Sequence, residues 1–189
     1  MKPQVPFLKR IPDLSSWTIK FDYEKEDKPS SAPISHYQNM DRLTSITVSK
    51  SGKNIQEIIS WQSGIMEEMW IFNGLRLKWS SKKNLISIIP TPSEPDFASP
   101  YPDYLKTDFP ELDWISLENF KRTETYEGEK CFLFEEKSKL LYISRKESLP
   151  FFAKEGTKCS KYTYNGSLSE PLQPSEKFID FIKKYHLDQ

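Results

Sequence analysis

The chain is poor in the residues that usually carry chemistry or staple a fold. It holds two cysteines and two histidines in 189 residues. His36 and His186 stand far apart without cysteines or carboxylates at ligand spacing, so no metal site is expected. Six glycines form no Gly-rich phosphate loop, and no G-x-S-x-G elbow surrounds any serine. No cofactor motif is present, and none is expected. Charge of one sign is also missing: 27 basic residues balance 27 acidic ones. That balance supplies no basic footprint for nucleic acid and no polybasic membrane arm. No apolar run reaches the roughly 18 residues of a membrane-spanning helix. The opening "MKPQVPFLKRIPDL" has basic residues but lacks the apolar core of a signal peptide. Two cases remain, a cytosolic protein or an exported one whose signal lies outside this chain.

What is present is β-forming. Five Trp and nine Tyr suit sheet faces and apolar ligand sites. "WTIKFDY" alternates cleanly, with Trp17, Ile19, Phe21 and Tyr23 on one face and Thr18, Lys20 and Asp22 on the other, which predicts a half-buried strand. Residues 24–41 are a charged loop with Pro and Ser. From 42 to 89, "RLTSITVS", "IQEIISW", "IMEEMWIF", "LRLKWS" and "LISII" are separated by "KSGKN", "QSG", "NG" and "SKKN". Asn73–Gly74 is a strong hairpin signal, because both central residues of a type I′ turn take positive φ. The stretch 131–164, "CFLFEEKSKLLYISRKESLPFFAKEGTKCSKYTY", reads as four more ribbons and three turns.

The two long loops, 24–41 and 90–110, interrupt the meander, and a helix ends it. Residues 1–16 read as irregular, with at most one helical turn at Phe7–Arg10. Residues 90–110 contain six of the 14 prolines, which excludes a central strand and predicts a long crossing. A short helix near Tyr104–Thr107 fits inside it. Residues 174–186 predict a C-terminal helix, with Ser175 as cap and Phe178, Phe181, Ile182 and Tyr185 at helical spacing. The expected fold is mainly β: a single domain over 1–189, an antiparallel open half-barrel meander with few other helices. At this length a domain buries about two-thirds of its unfolded surface and needs neither disulfide nor metal.

Catalytic groups are hard to find. Glu67 and Glu68 fall mid-strand on opposite faces; one of them on an apolar face would have a raised pKa and could act as a general acid. A strand Glu at an open rim is the commoner case, and no catalytic residue is assigned. Cys131 and Cys159 fall on the first and fourth ribbons, about 14 Å apart at ordinary strand spacing. A disulfide needs Cα atoms within roughly 7 Å, so both are expected to be reduced. The candidate ligand-lining set is the aromatic and aliphatic group of the first half: Trp17, Ile19, Phe21, Tyr23, Trp61, Trp70, Phe72 and Trp79. It is either packed core or a concave wall for an acyl chain or another apolar ligand. On the second reading Trp70→Ala weakens binding without unfolding the chain.

The second half resembles the ending of the LolA/LolB-like half-barrels, which include periplasmic lipoprotein carriers and RseB-type envelope sensors. The resemblance rests on the Y-x-G-x-x-C element (Tyr126, Gly128, Cys131), the Leu149–Pro150 pair, the Tyr162-x-Tyr164 pair and the Pro-led segment from Pro171 to Phe178. It implies an unclosed barrel with a hydrophobic inner face. It further implies a non-catalytic carrier or sensor of a hydrophobic or acylated ligand, such as a lipoprotein, in the periplasm or secreted. A protein–protein interaction module with a filled core is the alternative.

Overall fold

Alternation and turn chemistry fix where the strands begin and end. The computed structural model describes residues 15–23, 41–89, 108–167 and 172–187. The irregular segment 1–14, the loop 24–40 with His36, and the Pro-rich stretch 90–107 with its expected short helix lie outside the described residues. Eleven strands follow in chain order: β1 (Ser15–Tyr23), β2 (Leu43–Ser51), β3 (Asn54–Trp61), β4 (Met66–Phe72), β5 (Leu75–Ser80), β6 (Leu85–Ile88), β7 (Phe120–Tyr126), β8 (Glu129–Glu136), β9 (Lys139–Ser144), β10 (Pro150–Glu155) and β11 (Lys158–Ser167). Ser15 and Ser16, expected in the irregular segment, belong to β1. Asn73 and Gly74 have φ of 49° and 78°, as the type I′ turn requires. Glu127 and Gly128 repeat the pattern between β7 and β8, with φ of 48° and 83°.

All neighbouring strands are antiparallel in one open, unclosed sheet, ordered β6-β5-β4-β3-β2-β1-β11-β10-β9-β8-β7. The first described strand therefore stands inside the sheet. Ile19 lies opposite Val48 on one side and Tyr162 on the other. The second meander starts at the far edge and works inward until β11 meets β1. β6 and β7 stand at opposite edges of the sheet; the long crossing expected over 90–110 falls mostly on 90–107, outside the described residues.

Residues opposite one another in a ladder point to the same face, so the registers sort side chains into two surfaces. One surface carries Trp17, Ile19, Phe21, Val48, Ile55, Ile71, Phe134, Leu141 and Ile143, a continuous apolar core reaching from β4 to β8. Residues 108–119 cross it as a strap, with 3-10 turns at Pro110–Leu112 and Leu117–Asn119. Leu112 and Ile115 of the strap are buried in that core. The other surface is split. On β4 and β5, Trp70 and Leu77 lie beneath the helix α1 (Glu176–Lys184) with Phe178 and Ile182. On β8 and β9, Cys131, Leu133 and Tyr142 form a separate cluster. Thr18, Lys20, Thr47, Ser49 and Lys161 make a polar stripe between them, by register.

Helix α1 buries Phe178 and Ile182 as its spacing predicts, whereas Tyr185 is 53% exposed. Ser175 occupies the cap position, but its hydroxyl makes no cap hydrogen bond. Its carbonyl instead accepts from the Phe178 and Ile179 amides. At the far end the Leu187 amide donates to the Ile182 carbonyl and the His186 amide to that of Lys183. With His186 at φ 53°, this is a Schellman closure, and Leu187 folds back onto the helix's apolar cluster.

Candidate ligand-binding face

The apolar surface is built outward from β1. Trp17 lies directly opposite Lys50 of β2 and Tyr164 of β11, so a cation and two aromatic rings share one row. Tyr162 stands in the next row, opposite Ile19. Into this place the strap inserts Phe109. Its ring centroid lies 5.4 Å from Trp17, 5.7 Å from Tyr162 and 6.4 Å from Tyr164, the two tyrosines meeting it edge-on. These are favourable aromatic separations and tilts.

Polar contacts hold the strap on both sides of Phe109. Lys50 Nζ lies 2.8 Å from Asp108 Oδ1, with both side chains largely covered. The Tyr162 hydroxyl donates to Glu111 Oε1 at 2.8 Å. Tyr164 donates to the Pro150 carbonyl at 2.7 Å. Burial pushes the Tyr164 phenol well above its ordinary pKa, and the negative charges of Glu111 and Asp108 add to the shift. Beside the middle of the strap a dimple of about 20 Å³, lined among others by Leu112, Trp114, Lys139 and Lys158, has room for about one water.

A buried carboxylate also faces this surface. Glu57 is 1% exposed, and its ladder neighbours are Val48 and Met69. Burial raises the pKa of Tyr23, and the Glu57 charge raises it further. The sequence held a signal for this group: Ile55, Glu57, Ile59 and Trp61 occupy one phase of β3, so an acid breaks an apolar alternation. The strap contacts through Asp108, Phe109 and Glu111 had no such signal, because irregular chain has no period.

The eight expected lining residues do not share one face. Trp17, Ile19, Phe21 and Tyr23 belong to the strap-covered core. Trp70, Phe72 and Trp79 belong to the opposite cluster beneath α1. Trp61 is half-buried at the end of β3 opposite Leu43. Trp70 thus serves the helix and stands apart from the strap-covered surface.

Glu67 and Glu68 point to opposite faces, as alternation requires. Glu67 lies 2.8 Å from Lys78 on the strap-covered surface. Glu68 receives Gln56 Nε2 at 2.9 Å, Trp70 Nε1 at 2.7 Å and Lys177 Nζ at 2.6 Å. Burial alone raises the Glu68 pKa, but the hydrogen bonds from Lys177, Trp70 and Gln56 and the lysine charge outweigh it and hold the carboxyl below its ordinary range. A carboxylate held ionised is poorly suited to act as a general acid. Cys131 and Cys159 are both free thiols, on β8 and β11 with two strands between them. Burial pushes the Cys131 thiol up, helped by Glu129 and Glu124. Among the described residues no group of three or more His, Cys, Asp or Glu could hold a metal ion. No described helix is long and apolar enough to cross a membrane.

Compared with known proteins, no family model matches the chain, and no curated protein matches it. The open eleven-stranded antiparallel sheet with its C-terminal helix defines the class.

Proposed function

We propose that this protein is a non-catalytic binder of a hydrophobic or acylated ligand, a LolA/LolB-like carrier or sensor working in the periplasm or secreted. The observation that carries the reading is the apolar surface running from β4 to β8 and crossed by the strap, a segment of 3-10 turns and irregular chain. Such a cover has few backbone hydrogen bonds of its own to break when it moves. Ligand binding would draw on buried apolar area, about 25 cal/mol per Å² before ordering costs.

The test is native mass spectrometry of the purified protein followed by organic extraction. A stoichiometric lipid or acyl mass is the expected result. A bare protein mass that also ignores added fatty acids and lipopeptides overturns the reading. Mutations then locate the surface: Trp17→Ala weakens uptake, whereas Trp70→Ala leaves it unchanged and loosens α1.

A protein-binding module is the second reading, and β6 favours it. This edge strand of four residues exposes Leu85 and Ile88 at 63% and 51%. An apolar sheet edge is a template for a partner's strand. Under this reading the strap is permanent core.

A further inference from the structure

Asp108 and Phe109 are consecutive residues with opposite chemistry, and each has its own receptor on the sheet. The carboxylate sits on Lys50; the ring sits among Trp17, Tyr162 and Tyr164. Together they present an acid joined by a few bonds to an apolar group. We infer that this pair occupies the site of an acidic amphiphile, and that the ligand is a long-chain carboxylic acid or a similarly anionic apolar molecule that replaces it. The inference rests on the proposed ligand-binding function and names its ligand class.

The arrangement is specific in three respects. Lys50 is the cation that the register places beside Trp17, and its side chain is only 14% exposed, so an incoming acid meets it in a weakly screened setting. The Tyr162 hydroxyl, now donated to Glu111, is a second donor within the same receptor. Because Asp108, Phe109 and Glu111 lie on one short segment, a single withdrawal of the strap gives up all three contacts. The ligand carboxylate then takes Lys50 and Tyr162, its first methylenes take the ring slot, and its tail continues over Ile19 and Val48. A neutral amphiphile of the same length recovers the apolar contacts but not the ionic one.

The experiment is calorimetric titration of the full chain with dodecanoic acid and, separately, with dodecanol. The wild type is expected to prefer the acid by about tenfold or more, the scale of one charge-assisted hydrogen bond. Lys50→Gln is expected to erase that preference; because it is a ratio, a change in strap stability common to both ligands cancels. Asp108→Asn, at a partly exposed position, is expected to raise acid affinity by removing the internal competitor. Phe109→Ala is expected to tighten both ligands. Equal binding of acid and alcohol by the wild type, or an acid preference that survives Lys50→Gln, overturns the assignment of Lys50 while leaving apolar ligand binding intact. Acid affinity unchanged in Asp108→Asn overturns the mimicry. If no variant takes up either molecule, this inference and the proposed function both fall.

Discussion

Among the described residues the sheet has two covers, and they are built from similar parts. Each brings a phenylalanine onto tryptophan: Phe178 against Trp70 beneath the helix, Phe109 against Trp17 beneath the strap. Each is pinned by a lysine–carboxylate contact under 3 Å, Lys177 with Glu68 and Lys50 with Asp108. Their architecture differs. Helix α1 satisfies its own backbone and closes in a Schellman turn. It buries Phe178 completely, whereas Phe109 is only partly buried. The strap has two short 3-10 turns and leans on side chains of the sheet. A cover with its own internal hydrogen bonds is a fixed part of a core; one that borrows its contacts can be exchanged for a ligand offering the same contacts.

The largest effect should separate these two phenylalanines. Phe178→Ala removes a fully buried ring and is expected to cost about 3–5 kcal/mol in urea unfolding. Phe109→Ala, at a half-covered ring, should cost about 1–2 kcal/mol. Equal losses would make the strap as permanent a cover as the helix and would remove the main support for an exchangeable site.

Next in size is the helix pin. Lys177→Met keeps the aliphatic stem over Trp79, whose ring centre lies 3.6 Å from the ammonium. It leaves the Glu68 carboxylate with Gln56 and Trp70 as donors. The expected loss is about 1–3 kcal/mol. Acid supplies an independent check. Burial by itself raises the Glu68 pKa, and the surrounding donors bring it below the ordinary value. The resulting stabilisation is complete above the unfolded carboxyl's range, near about pH 4, and fades as pH falls through the lower folded value. Glu68→Gln should therefore flatten part of the acid limb of a stability–pH curve. An unaltered limb would show that the pin contributes nothing at neutral pH.

The same comparison explains what could be read in advance. The helix was legible because Phe178, Phe181 and Ile182 recur at its period and Ser175 precedes it. Strands were legible from alternation, and the β4–β5 turn from Asn73–Gly74. The pairing of β1 with β11 was not, since nothing local links residues so distant in the chain. Nor could the sequence assign Trp70 to a face. Met69 and Ile71 are as apolar as Trp70 and Phe72, so both phases of β4 look like core until the register with β5 is known. The strap carried no period, and its role depends on contacts with residues far away in sequence.

The smallest effect belongs to the cluster on β7–β10, which shows what the opposite surface looks like away from α1. Here Tyr126 stacks on Tyr142 at 4.1 Å, with Phe152 beside both. The Tyr142 hydroxyl donates to Glu124 Oε1 at 2.7 Å. Burial, then the hydrogen bond and charge of Glu124, push the Tyr142 phenol up to about 12. A raised phenol stabilises the fold fully below the ordinary tyrosine value of about 10, and that contribution disappears as pH rises through the folded value. Tyr142→Phe keeps the stack and removes the donor, so it should cost about 1 kcal/mol at neutral pH, a cost that shrinks as pH rises above about 10. Convergence of the two unfolding curves at high pH is the expected measurement. A difference that persists there would mean that the ring's packing, not its hydroxyl, had been disturbed. A loss at neutral pH well above about 1 kcal/mol would mean that this part-buried hydrogen bond contributes as much as the helix pin, and the contrast drawn between the two ends of this face would fail.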